Sequence, residues 1–211
     1  MAVERVTPYG LKEVADVYFY PAGTTITIVT TGTDYASIVS AATDPDFIFD
    51  TLKVSNIEVS SEEASATGGK GNPELISWSY GKEITFTMED AVFSMATLDL
   101  MFGARGGVDD SDADSLSVII DADTFPSNYH IVGFTYIRNK NTGVDAPFLF
   151  EIPNAKVQVG GTLTMEAEGD PTTFEMTIKA LKSADNDLVR FHRLKAGAAT
   201  EHSSDNVKPK G

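Results

Sequence analysis

Residues 75–90 read LISWSYGKEITFTMED. In their second half Ile84, Phe86 and Met88 share one parity, and Glu83, Thr85, Thr87 and Glu89 share the other. A period of two across β-branched and aromatic residues predicts a strand with one buried face. Residues 161–180, GTLTMEAEGDPTTFEMTIKA, follow the same plan. Leu163, Met165 and Ala167 alternate with Thr164, Glu166 and Glu168. Beyond a turn, Phe174, Met176 and Ile178 alternate with Thr173, Glu175, Thr177 and Lys179. Two segments far apart in the chain therefore carry an oily face backed by threonine and glutamate. Lys82 and Lys179 are the exceptions in these segments, expected to pair with Glu83 or Glu175 or to sit at strand ends.

Outward from these segments the strand signal continues. LKEVADVYFYP (11–21) and TTITIVTT (24–31) are rich in β-branched and aromatic residues. DFIFDTLKVSNIEVSS (46–61) reads as one strand whose inward phase slips between Leu52/Val54 and Ile57/Val59, which predicts a bulge near Ser55 and Asn56. LSVIID (116–121), YHIVGFTYIR (129–138), APFLFEI (146–152), AKVQV (155–159) and LVRFHRL (188–194) complete the set. DAVFSMATLDLMFG (90–103) is the one convincing helix, capped by Asp90 or Ser94 and ended by Gly103. Few polar residues interrupt it, so it needs cover on more than one side, from its own core or from a neighbouring subunit through Val92, Met95, Leu98, Met101 and Phe102. SSEEASATGGKGNPE (60–74) is small, polar and glycine-bearing, and is expected to be a long mobile loop, either functional or a plain surface connection. The expected organisation is a single mainly β domain over 1–194, a sandwich or barrel with one principal flanking helix, followed by a disordered tail over 195–211.

Composition narrows the function. The 211 residues include 31 acidic and 16 basic side chains, a formal charge of -15. Such a chain does not hold nucleic acid by neutralising phosphates. Cysteine is absent, which removes thiol catalysis and disulfides. MAVERVTPYG lacks an apolar signal core and no apolar run spans a bilayer, so the expectation is a protein made and kept in a cytoplasm until something moves it.

Catalytic and metal constellations are weak. Asp110, Asp112, Asp114 and Asp121 have the spacing of an EF-hand, but Ser115 replaces the required glycine and a strand follows where a helix belongs. A solvated acidic loop is the better reading. GGKGN (68–72) lacks the Ser or Thr of a P-loop after Lys70. His130, His192 and His202 stand in no recognisable pairing with a nucleophile. Glu166 and Glu168 lie on one strand beside threonines rather than across a cleft lined by aromatics, so a glycosidase pair is disfavoured. Trp78 reads better as a core or interface anchor than as a stacking platform. No enzyme and no cofactor is expected.

Three segments together resemble a known family. EIPNAKVQVGGTLTMEAEGDPTTFEMTIKAL (151–181), PYGLKEVADVYFYP (8–21) and SWSYGKEITFTMEDAVFSMATLDLMFG (77–103) are similar to parts of the tail tube proteins, or major tail proteins, of long-tailed bacteriophages. The likeness covers most of 8–182. Residues 24–44 and those after Leu194 do not share it. The resemblance implies a β-sandwich subunit with a flanking helix, hexameric rings stacked into a hollow tube, and four inner strands per subunit in one continuous barrel. The genome leaves through that barrel. Channel-lining residues would then be Glu83, Thr85, Thr87, Glu89, Thr164, Glu166, Glu168, Thr173, Glu175 and Thr177. Ser61, Glu62, Glu63, Gly68, Gly69, Lys70 and Asn72 would touch the next ring. Partners implied are further copies of the chain, tape-measure, terminator and baseplate or tail-tip proteins, and passing double-stranded DNA. The location would be the virion tail, after assembly in the host cytoplasm. Strands spaced ~4.8 Å and tilted ~40° give a barrel of roughly 48 Å backbone diameter, wide enough for a duplex of ~20 Å. The alternatives are the tube subunit of a bacterial contractile injection or secretion system, a non-tube decoration protein, and a carbohydrate-binding module. The last should show a signal peptide and an exposed aromatic row.

Overall fold

The computed structural model describes residues 9–11, 14–90, 94–112, 115–160 and 173–194. Its elements, in chain order, are β1 (Tyr9–Leu11), β2 (Asp16–Pro21), β3 (Ile26–Ile28), α1 (Tyr35–Ile38), β4 (Val39–Ala41), β5 (Phe47–Phe49), β6 (Leu52–Thr67) and β7 (Glu74–Asp90). There follow α2 (Met95–Phe102), β8 (Val108–Asp112), β9 (Ser115–Val118), β10 (Asn128–Asn139), β11 (Asp145–Val157), β12 (Phe174–Ala180) and β13 (Arg190–Arg193).

The organising element is β11, which the sequence had suggested was two strands. Its first half pairs with β13, and its second half pairs with β12. The change of partner falls at a bulge: Ile131 lies opposite Ile152 and Tyr129 opposite Ala155, so Pro153 and Asn154 together oppose the single residue His130. Proline has no N–H to give the ladder and suits a bulge. Asn154 holds the bend by donating to the Lys182 carbonyl at 3.2 Å and accepting from the Asn128 amide at 3.2 Å. The nine-stranded antiparallel sheet, ordered β5-β2-β10-β11-β12-β7-β6 with β1 on β10 and β13 on β11, thereby folds over on itself.

The larger core lies between the folded-over halves of the sheet. Val17, Phe19 and Phe49 from one side meet Phe86, Met88, Met176 and Ile178 from the other. The Phe86 and Phe150 rings lie 5.1 Å apart. Gly133 is required here, because a Cβ on it would land in the Phe150 ring. The mainly β, sandwich-like class expected from sequence is the class found, with α2 as the principal helix.

A third layer explains residues 24–44. β3, β4 and α1 cover the outer face of β2, β10 and β11, where Val132, Phe134, Tyr136 and Leu149 form a second core with Ile38 and Val39. The Tyr18 and Tyr35 rings stack at 3.5 Å. β10 is consequently buried on both faces, which is why YHIVGFTYIR shows no clean alternation.

α2 is shorter than the expected 90–103. Ser94 caps it by accepting from the Thr97 amide at 3.1 Å, while Asp90 ends β7. Gly103 ends it with φ 74° and no room for a side chain, since a Cβ would lie 2.5 Å from the Phe125 backbone. No helix among the described residues is long and apolar enough to cross a membrane.

Candidate assembly site

The polar face comes together as the alternation requires. Strands β6, β7 and β12 are adjacent, and register places Glu175 opposite Glu89 and Thr177 opposite Thr87. On the other side of β7, Asn56 faces Thr87, Glu58 faces Thr85 and Ser60 faces Glu83. Ile84, Phe86, Met88, Phe174, Met176 and Ile178 point the other way and are buried. The second half of β11 adds Lys156 beside Lys179. The face is therefore a row of carboxylates (Glu89, Glu175), a row of hydroxyls and an amide (Thr87, Thr177, Asn56), and a mixed row containing both lysines. Lys179, next to last in β12, pairs with Glu83: its Nζ meets the carboxylate at 2.6 Å, with both side chains about two-fifths exposed. At that exposure the pair is worth ~0–1 kcal/mol, so it neutralises charge more than it stabilises. Of the other expected lining residues, Thr173 is half-buried just before β12, and Thr164, Glu166 and Glu168 lie outside the described residues.

Two corrections concern β6. The expected bulge at Ser55 and Asn56 lies at Lys53, between the pairs Leu52–Asp90 and Val54–Glu89. Leu52 thus shares the inner face with Ile57, and Val54 sits outside at 47% exposure, opposite Glu89. More important, residues 60–74 are not a long loop. Ser61, Glu62 and Glu63 continue β6, which pairs with β7 as far as Thr67 and Glu74. Only 68–73 turn. Gly69, Gly71 and Asn72 adopt positive φ, and the Gly68 amide donates to the Pro73 carbonyl at 3.0 Å. Small polar side chains concealed the strand because its order comes from backbone pairing with the β-prone segment 75–80 rather than from burial.

The result is a two-stranded arm projecting beyond the sandwich. Ile76, Trp78 and Tyr80 share one face with Ala66, Ala64 and Glu62 by register. Leu75, Ile76, Trp78 and Tyr80 are each at least half exposed. An isolated two-stranded ribbon is marginal in water, and this one displays its largest apolar residues.

The helix surface is only partly available. Met101 is 3% exposed and belongs to the subunit's own core, so its expected interface role fails on burial. Phe102 packs partly against the same core. Met95 and Leu98 are half-buried, and Val92 lies outside the described residues.

One cluster escaped the sequence reading. Glu151, 3% exposed on β11, accepts from His130 Nε2 at 2.9 Å, Arg190 Nη1 at 3.2 Å and His192 Nε2 at 3.3 Å. His130 Nδ1 meets the Thr24 carbonyl at 2.9 Å. Both partners of that ring, the Thr24 carbonyl and the Glu151 carboxylate, are oxygen atoms. Burial pushes the Glu151 carboxyl up, but the bond and charge of His130, the charge of Arg190 and the bond from His192 outweigh it and hold the carboxyl below its usual range. Arg190 also binds Asp187 at 2.7 Å and Asp185 at 3.0 Å. These groups satisfy one another and tie β10, β11 and β13 to the third layer. Sequence reasoning missed them because they lie 21 to 41 residues apart.

The acidic loop is also resolved into structure. Asp110 and Asp112 lie on β8, which forms a hairpin with β9 rather than an EF-hand, and Asp114 lies outside the described residues. Asp121 accepts from the amides of Asp123 at 3.0 Å and Thr124 at 2.7 Å.

No curated protein matches the sequence. Among solved structures, the fold is similar to a chain of the PVC sheath-tube complex of an extracellular contractile injection system in its extended state. That likeness has 11% identity and a TM-score of 0.44, covering 90% of this chain and 91% of that one. The YomU/Tube protein family matches residues 33–105 and 110–191, which take in α1 and β4 of the third layer, the arm, α2 and the strands of the polar face. The chain belongs to the YomU/Tube protein family.

Proposed function

We propose that copies of this chain close into hexameric rings, that the rings stack into the tube of a phage tail, and that double-stranded DNA passes through its bore. The observation that carries the reading is the four-stranded run β11–β12–β7–β6, oily toward its own core and lined on the other side mainly with Thr, Glu and Asn, beside Lys156 and Lys179. Glu83, Thr85, Thr87, Glu89, Glu175 and Thr177 face the bore. Carboxylates repel phosphate, and hydroxyls keep the wall wet without anchoring the cargo. A wall of unopposed lysines would release counterions at each contact and retard the DNA. The Lys179–Glu83 pair removes one such anchor.

Ring closure also disposes of an edge. β6 ends the sheet order, and a sixteen-residue edge strand is a template for another chain. A head-to-tail contact that closes by rotation makes a ring, and stacking continues until another protein stops it. The arm, with Ser61, Glu62, Glu63, Gly68, Gly69, Lys70 and Asn72, reaches the next ring. Tape-measure, terminator and baseplate proteins set length and ends. No cofactor takes part.

Electron microscopy of the concentrated protein tests assembly: stacked rings are expected, and featureless monomers would refute the reading. Changing Glu83, Glu89 and Glu175 to lysine should leave tubes intact and reduce genome delivery. Unchanged delivery would remove these residues from the wall.

A further inference from the structure

The arm has exposed apolar side chains, and elsewhere on the same chain lies an apolar groove. Its walls are Leu11, Val14 and Ala15 on one side and β6 on the other, and its floor is β11 with β13. The groove has a volume of about 750 Å³ and is lined by Leu11, Val14, Val59, Phe148, Phe150 and Phe191 among others. That volume lies within the ~300–1,000 Å³ range of cavities that bury ligand-sized apolar groups. Val59 shows why the groove exists. It pairs with Ile84 and so shares the inner face of the sandwich, yet it is 56% exposed. The facing sheet ends before covering it. Phe191, stacked on Phe148 at 6.0 Å, is 55% exposed, and Leu11 is 73% exposed.

We propose that this groove receives the Ile76/Trp78/Tyr80 face of the arm of a second copy. The inference rests on the tube reading and names the receptor for its arm. Three observations select this occupant. First, the chain exposes an apolar projection and an apolar recess, and burying both offsets the cost of displaying either. Second, an arm cannot serve its own groove. It is a paired continuation of β6 and β7, and β6 residues at its base form one wall, so the tip lies roughly 20 Å beyond by strand rise. Third, charge agrees. Arg193 lies on the Phe191 face of β13, two residues on, above the Tyr9 ring at 5.0 Å. Glu62 lies on the Tyr80 face of the arm, directly opposite Tyr80. Knob and recess occupy different surfaces, so the contact is head-to-tail and propagates from copy to copy.

The absence of cysteine makes the contact measurable without background. Tyr80→Cys combined with Leu11→Cys or Val59→Cys, in the full chain, leaves Trp78 and Phe191 in place. Mild oxidation should convert most of the protein into a ladder of covalent oligomers, since a disulfide needs Cα atoms within ~7 Å. Tyr80→Cys with Thr27→Cys, on the exposed side of the third layer, should stay monomeric on the same gel. Adding Trp78→Ala should abolish the ladder. Microscopy of the same samples scores tubes separately. Tubes without a ladder at either groove position overturn the docking and leave the tube reading standing. A ladder without tubes supports the docking and overturns the tube. Neither product overturns both.

Discussion

The two halves of β7 share a period and differ in what covers them. From Ile84 to Met88 every second side chain is at most 4% exposed, packed against the folded-over sheet. From Leu75 to Tyr80 the apolar residues are larger on average and are 50–64% exposed. Alternation is therefore a statement about faces, not about burial. Burial needs a second layer, and near Gly81, between the pairs Ser60–Glu83 and Glu62–Tyr80, β7 gains an extra residue against β6 that turns Tyr80, Trp78 and Ile76 onto the polar face, away from that layer. Below that bulge the apolar residues make the fold. Above it they stay exposed in the single subunit, as the proposed assembly would require.

Substitutions separate the two halves. Phe86→Ala should cost the monomer ~3–5 kcal/mol, measured by urea unfolding, because the cavity lies between packed sheets. Trp78→Ala, an equally drastic truncation, should leave unfolding nearly unchanged and abolish assembly. Equal losses of stability would erase the distinction between base and arm.

The buried ion cluster sets the next-largest effect. Glu151→Gln keeps the shape and removes the charge that His130, His192 and Arg190 face, and breaking such a buried set costs up to ~3–5 kcal/mol. The wild-type advantage should depend on pH in one direction. The folded carboxyl titrates below its unfolded value near 4.5, so its contribution is complete above that pH and drains as pH falls through the lowered folded value. Unfolding midpoints of the two proteins should therefore converge in acid. A constant gap down to pH 2–3 would assign the effect to packing instead.

Smaller effects sharpen the picture of the layers. Gly133→Ala drives a methyl into the Phe150 ring and should cost ~1–3 kcal/mol by overpacking. Ser94→Ala removes the cap of α2 and should cost ~1 kcal/mol. Lys179→Ala should change stability by less than ~1 kcal/mol, because its partner Glu83 is comparably exposed. A larger loss would mean that the polar face contributes to the fold and is not merely a wall.

Much of this was legible in the residues alone. The faces of β7 and β12, the cap at Ser94, the stop at Gly103 and the mainly β class all follow from side-chain period and local turn chemistry, which are properties of a few neighbouring residues. The arm was illegible because Ser60–Thr67 pairing is dictated by a partner strand, and a serine-, alanine- and glutamate-rich strand looks like a loop until that partner is known. The bulge misplaced to Ser55 has the same origin, since register is decided across strands. The single bent β11, the third layer over 24–44 and the Glu151 cluster unite residues tens of positions apart. Only closure of the chain places them together, because nothing in a local pattern records which remote strand will supply the hydrogen bonds or which layer will exclude the water.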